Sequence, residues 1–260
     1  MAWTRTYAEA EPQRVNRWLA QSGVCSRREA EGLIAKGLVS IDGQRVDDPG
    51  RKIEAGQTLV LADSAETLLG ATLSVMIHKP VGVVSSQPEG GQVPAVRLLT
   101  RQALWGDSAT IPGRDSRLAP VGRLDMDSRG LLILSEDGVV AKAVIGPASD
   151  LEKEYQVRVT GQVTARGLGL LRHGLQLDGR QLKPARVSVI ADQQLRFVLK
   201  EGRNRQIRRM CDLVGLEVID LLRVRIGDLR LGALPEGRWR PITAEERAAL
   251  IDPPKEKPFR

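Results

Sequence analysis

Asp125 stands between Arg123 and Arg129 in the stretch Pro120–Gly138, PVGRLDMDSRGLLILSEDG. Pro120 and Gly122 punctuate a loop, Leu131–Leu134 is a short apolar run, and Asp137-Gly138 is a turn signal. The reading is a charged loop feeding a buried strand. A carboxylate flanked by guanidinium groups stays ionised at neutral pH, where it can act as nucleophile or base. The competing role is turn capping, because short polar side chains in glycine-containing loops bond locally. Asp125 and Asp127 also form a DxD, which in a metal-dependent nuclease or glycosyl transferase holds Mg²⁺. No third acidic ligand stands out beside it. A second concentration of charge lies at Lys200–Arg209, where five Lys/Arg face one Glu. His78 precedes Lys79-Pro80 with nothing nearby to orient it as a base, so it reads as a strand-end histidine.

Composition limits the classes open to such residues. A chain of 260 residues holds one large domain, or a small one with a medium one. Hydrophobic residues make up 42% but aromatics only 3%, so aliphatic side chains must fill the core. The net charge of +7 and a pI near 9.8 favour a polyanionic partner. Cys25 and Cys211 are far apart, as are His78 and His173, which argues against a zinc site and a disulfide scaffold. No metal and no cofactor are expected. There is no apolar run of about 18 residues and no signal-peptide core, so a cytoplasmic protein with no membrane partner is expected.

The elements that must position these groups are legible in part. Residues 1–12 have no clear period and read as a flexible arm. Val15, Trp18 and Leu19 share one face of a helix, with Arg14 and Arg17 on another; Gly23 ends it. Ser26 and Glu29 have capping-box spacing, followed by the apolar stripe Ala30, Leu33 and Ile34 and a C-terminal Gly37. Val39–Ile41 and Gln44–Val46 flank Asp42-Gly43 as a hairpin with a type I′ turn. Arg27 and Arg28 sit in the second helix's first turn, where the macrodipole disfavours cations. Binding and plain solvation are equally open readings there. Residues 1–63 carry nine Lys/Arg and nine Asp/Glu, so any binding must come from clustering on one face.

Residues 64–72 read as a linker. Leu73–Ile77 is strand-like, and 87–118 has little periodicity. Val140, Ala143 and Val144 mark a short helix. In the strand Glu152–Val159, Tyr155, Val157 and Val159 share one face, and Glu154, Gln156 and Arg158 the other. Leu195, Phe197 and Leu199 alternate as a further strand. Asn204 is the expected N-cap of a helix whose stripe is Ile207, Met210, Cys211 and Val214, which makes Cys211 a packing residue. Val218–Ile226 supplies strand material with Arg223 and Arg225 on the same side. Residues 252–260, DPPKEKPFR, read as a disordered tail.

GRLDxDSxGLLIL followed by DG resembles the catalytic-loop motif of bacterial pseudouridine synthases of the RsuA family. KPxGxxSS at 79–86, EKEYxV at 152–157 and EGRNRQIRRM at 201–210 resemble further motifs of that family, in the expected order. SRREAExxIxxGxVxIDG at 26–43 resembles the S4-like RNA-binding module first seen in ribosomal small-subunit protein four. VCSRREA and NRQIRRMC are similar to the subgroup that modifies large-subunit ribosomal RNA. GPASD at 146–150 departs from the pattern, since many relatives have a His-Pro pair before EKEY.

The resemblance implies an α+β chain. An S4-like domain over 13–63 precedes a catalytic domain over 73–251, built on a mixed, mostly antiparallel sheet. It implies an isomerase that turns uridine into pseudouridine in structured RNA, most of all 23S ribosomal RNA, with transfer RNA or 16S ribosomal RNA as alternatives. Asp125 is then the catalytic carboxylate, Arg208 its electrostatic partner, and Tyr155 the platform on which the target base stacks. Arg14, Arg17, Arg27, Arg28, Lys36, Arg123, Arg203, Arg205 and Arg209 are the expected RNA contacts, and a monomer is expected. Lys79 and Pro80 are assigned a packing role beneath the loop, and Asp127 a loop-shaping one. A non-catalytic RNA-binding protein is the rival reading, and it leaves the GRLD loop unexplained.

Overall fold

The structure is a computed structural model that describes residues 3–70, 72–108, 110–113 and 116–253. Most of the tail expected to be disordered, residues 254–260, lies outside the described residues. The chain forms two compact units. One takes the chain up to Ser74 together with Ser135–Lys142; the other takes Val75–Leu134 and the chain from Ala143 onward.

In the smaller unit the apolar spacing produces the helices Val15–Gln21 and Arg27–Ala35. Val15, Trp18, Leu19, Ala30, Leu33 and Ile34 bury their side chains together with Leu59 and Leu61. The capping box forms: Ser26 Oγ accepts from the Glu29 N–H at 3.2 Å, and the Glu29 carboxylate accepts from the Ser26 N–H at 2.6 Å. Asp42 (φ 49°) and Gly43 (φ 78°) are both left-handed, as a type I′ hairpin requires. The arm is a correction. Thr4–Thr6 pairs antiparallel with Thr58–Leu61 and completes a four-stranded sheet with Val39–Ile41 and Gln44–Arg45. Tyr7 is buried edge-on against Trp18, with ring centroids 5.3 Å apart. Two aromatic anchors in a polar segment, Tyr7 and Trp3 (the latter 5.9 Å from Trp18), carry no periodicity, so the sequence conceals them. The stretch read as a linker is helical over Asp63–Gly70, with Ala65 buried.

The larger unit is organised by a nine-stranded sheet. Its main path runs Arg186–Ala191, Gln194–Leu199, Lys153–Thr160, Glu217–Ile226, Arg129–Ser135, Ser74–Lys79 and Trp239–Pro241. Arg129–Ser135 and Glu217–Ile226 run parallel; the pairs on either side of Lys153–Thr160 are antiparallel. The sheet is therefore mixed and mostly antiparallel. Leu131, Leu132, Ile133 and Leu134 are all fully buried, which explains an apolar run without alternation. Gly130 has φ +112°, and a Cβ there would come within 2.3 Å of the Arg223 carbonyl oxygen, so only glycine allows these two strands to approach. The segment 87–118 holds a short 3-10 turn, Ala95–Leu98, and is tied to the far edge of the sheet by Trp239 Nε1 donating to the Thr100 carbonyl at 2.7 Å.

Candidate active site

The loop carrying Asp125 is clamped from below by the segment that follows the Ser74–Lys79 strand. Ser85 Oγ donates to the Leu124 carbonyl at 2.7 Å and accepts from the Leu124 N–H at 2.9 Å. The Gly82 N–H donates to the Met126 carbonyl at 2.8 Å. Lys79 is fully buried, its ammonium donating to the carbonyls of Pro80 and Val83. Burial pulls that ammonium down to about 8, against the opposing pull of Asp125 and Asp127. His78 is buried, with Nδ1 in a 2.8 Å hydrogen bond to the Leu234 carbonyl, so it is a strand histidine.

Asp125 lines a cavity of about 520 Å³ together with Tyr155, Lys153, Arg123, Arg223 and Arg208. Gly146-Pro147 and the segment 199–208 close other parts of its wall. Tyr155 lies in the Lys153–Thr160 strand with 8% of its surface exposed, and Lys153 is on the same face. Burial, and then the charge of Arg223, pull the Lys153 ammonium below its usual range. Among the described residues, 87–118 contributes nothing to this cavity.

The arginine cluster is arranged differently from the expectation. Arg208 does not take Asp125 as its carboxylate partner. Its Nε lies 3.3 Å from Asp127 Oδ2, an ion pair without hydrogen-bond alignment, and its terminal nitrogens donate to the Asp127 and Val218 carbonyls. Arg205 makes a forked contact with the Asp127 carboxylate at 3.1 and 3.0 Å and comes within 3.8 Å of Asp125. Burial raises the Asp127 carboxyl, but the hydrogen bonds from Arg205 and the charge of Arg208 outweigh it and hold it below the usual carboxylate range. Asp127 is thus an anchor for both guanidinium groups, a role that the DxD spacing alone does not reveal. Two arginines and a lysine around the DxD oppose a Mg²⁺ site.

The N-cap is a second correction. The helix Gln206–Asp212 is capped by Arg205 in a left-handed conformation (φ 49°), while the Gln206 side chain accepts from the Arg203 N–H at 2.9 Å. Asn204 is exposed and takes no part in the cap. Ile207, Met210 and Cys211 are buried, and burial pushes the Cys211 thiol up to about 12. Two of the expected phosphate ligands are occupied by the protein. Arg209 forks onto Asp178 at 3.0 and 2.7 Å, and Arg203 donates to the carbonyls of Leu177, Arg180 and Gln181. Arg123 is exposed at the cavity. In the smaller unit Arg14, Arg17, Arg27, Arg28 and Lys36 are all exposed.

Arg223 and Arg225 do not share a side. A bulge between Glu154 and Tyr155 sets Arg223 opposite Tyr155 and Arg225 opposite Glu154. An extra residue in one strand reverses the alternation of side chains beyond it. Arg223 consequently lines the cavity, whereas Arg225 donates to Glu154 and Glu152 at 2.9 and 3.1 Å. Arg196 and Arg186 complete that network.

A carboxylate, an aromatic ring and several cations in one cavity can hold a nucleotide and act on its sugar. Residues 74–213 match the family model for RNA pseudouridylate synthase, and residues 13–59 match the S4 domain. The dual-specificity RNA pseudouridine synthase RluF of Escherichia coli (strain K12) is 34% identical over 92% of this chain and 77% of its own length. Ribosomal large subunit pseudouridine synthase B of Haemophilus influenzae is also 34% identical, over 91% of this chain and 66% of its own. A crystal structure of a pseudouridylate synthase superposes with a TM-score of 0.64 at 25% identity, covering 92% of this chain and 99% of that one. With that match spanning the loop of Asp125, the strand of Tyr155 and the arginine cluster, the chain belongs to the RNA pseudouridylate synthase family and carries an S4 domain ahead of its synthase domain.

Proposed function

We propose that the protein isomerises uridine in large-subunit ribosomal RNA, with Asp125 as the catalytic carboxylate and Tyr155 as the stacking surface for the target base. The observation that carries the reading is Asp125 itself: it lines the cavity shared with Tyr155, its side chain 31% exposed and its nearest guanidinium 3.8 Å away. Its oxygens are therefore not locked in a forked ion pair. The reaction breaks the C1′–N1 bond, turns the uracil, and joins C5 to C1′. The carboxylate either forms a bond to C1′ or takes the C2′ proton; both need an ionised group with an available lone pair. The change is redox-neutral and involves no net hydrolysis, so it calls for neither nicotinamide nor ATP.

Arg205 and Arg208 hold the loop of Asp125 through Asp127, and Arg123 meets RNA at the mouth of the cavity. Arg14, Arg17, Arg27, Arg28 and Lys36 give the smaller unit its phosphate contacts; Arg203 shapes the wall through the partners described above, and Arg209 is held by Asp178. Ribosomal RNA is favoured because the names of two relatives place them on the ribosomal large subunit. We place the enzyme in the cytoplasm as a monomer; no helix among the described residues is long and apolar enough to cross a membrane. The test is pseudouridine mapping across ribosomal and transfer RNA with and without the gene. Loss of a site in 23S ribosomal RNA supports the reading. Loss confined to transfer RNA or 16S RNA redirects the substrate, and no loss anywhere refutes it.

A further inference from the structure

Arg223 is 3% exposed, yet one of its nitrogens has no partner among the described residues. Nε donates to the Leu131 carbonyl at 2.7 Å and one terminal nitrogen to the Arg123 carbonyl at 3.3 Å. The other terminal nitrogen is buried without an acceptor. A buried N–H of a charged group left unpaired is costly, so a fold retains one where something else will use it. Arg223 lines the cavity and is the cross-strand neighbour of Tyr155. The bulge that brings it there is itself a local departure from regular pairing. Lys153, two residues before Tyr155 on the same face, adds a second cation to the wall, its ammonium making a 3.3 Å contact with the Leu151 carbonyl.

The chemistry has a place for a fixed donor here. When C1′–N1 breaks, the electron pair departs with the base, and negative charge spreads over N1, O2 and O4 of the uracil. We propose that Arg223 is a catalytic residue whose unpaired N–H, closed to solvent in this structure, is uncovered as the nucleotide binds, donates to a uracil carbonyl oxygen and stabilises this departing anion, with Lys153 adding to the positive field. This rests on the synthase reading above. As the reaction proceeds, C5 bonds to C1′, the bond to Asp125 breaks or the C2′ proton returns, C5 loses its proton and N1 gains one. No further reactant is needed. Two of Arg223's nitrogens are held by backbone carbonyls, so the third is oriented before substrate arrives, the condition under which such a donor is most effective.

The test compares leaving groups. Fluorine at C5 makes the uracil anion more stable, so cleavage of a 5-fluorouridine depends less on an external donor. Single-turnover cleavage of the C1′–N1 bond is measured on one folded ribosomal RNA fragment carrying uridine or 5-fluorouridine at the modified position. Arg223→Gln should lower cleavage of the uridine RNA by about 100-fold or more, the scale of losing one oriented donor. On the fluorinated RNA the loss should be several-fold smaller, with RNA affinity unchanged. Equal losses on both RNAs would mean that Arg223 only ties strand to loop, and would overturn the inference. Should Arg223→Gln not fold, Arg223→Lys, which keeps the charge and loses the fork, undergoes the same comparison with the same criterion. Asp125→Asn runs beside them: activity in that variant refutes the Asp125 reading, whereas inactivity there with equal Arg223 losses refutes the Arg223 role alone.

Discussion

Asp125 and Asp127 are two residues apart and meet different neighbours. Asp125 lines the cavity with no guanidinium closer than 3.8 Å, while Asp127 takes the fork of Arg205 and the charge of Arg208. Asp125→Asn should abolish pseudouridine formation and leave RNA affinity intact, because an amide can neither bond to C1′ nor take the C2′ proton. The loop-shaping role that the sequence assigns to Asp127 predicts a milder effect for Asp127→Asn, and the clasp by Arg205 and Arg208 gives that effect a size. Freeing two arginines beside Asp125 should cost roughly tenfold to a hundredfold in turnover, the scale of small misplacements at a site. Single-turnover conversion and RNA binding, measured side by side for both variants, check the pair. Full turnover in Asp127→Asn would show that the clasp does not position the loop.

At the scale of elements, two devices hold the site and each can be broken alone. The first is the contact at Gly130, where an added Cβ would meet the Arg223 backbone at 2.3 Å. Gly130→Ala should lower stability by about 3 kcal/mol, combining left-handed strain with overpacking. Denaturant unfolding gives the number directly. The second is the carboxylate network behind the cavity. Hydrogen bonds from Arg196, outweighing burial, and then from Arg225 hold the Glu154 carboxyl below its usual range; at Glu152, burial acts upward and is outweighed by Arg186 and Arg225. A lowered folded-state value means stabilisation that is present above the unfolded value of about 4.3 and is lost as pH falls through the folded one. The thermal midpoint of Glu154→Gln should therefore lie below that of the parent at pH 7 and converge with it below about pH 4. A gap that persists in acid would assign the loss to packing instead.

For the whole molecule, the smaller unit exposes Arg14, Arg17, Arg27, Arg28 and Lys36, among other cations, on a segment with balanced charge. Each phosphate neutralised contributes to the salt dependence of binding, so Arg27→Ala with Arg28→Ala should weaken RNA affinity and flatten the slope of log Kd against log salt by about one to two units. Turnover at saturating RNA should persist. An unchanged slope would make these arginines solvated surface. The larger unit provides fewer free cations than its sequence promises, because Arg203 and Arg209 already bond within the protein.

Periodicity and spacing were sufficient wherever an element is stabilised by its own local pattern. The stripe Val15, Trp18, Leu19, the capping box of Ser26 and Glu29, the Asp42-Gly43 hairpin and the buried run Leu131–Leu134 follow from residue order alone, since their hydrogen bonds and burial repeat over a few residues. The loop of Asp125 was legible for a different reason: its residue types form a long, specific motif. Partners across tens of residues were not legible. Arg205 reaches Asp127 over 78 positions and Arg223 reaches Leu131 over 92. Which carboxylate an arginine takes depends on where separate strands deliver it, and a cluster of five similar charges has no order of preference in sequence. The parting of Arg223 and Arg225 was decided by one bulge against Tyr155, since strict alternation assumes an unbroken register and tertiary pairing alone determines where an extra residue is absorbed.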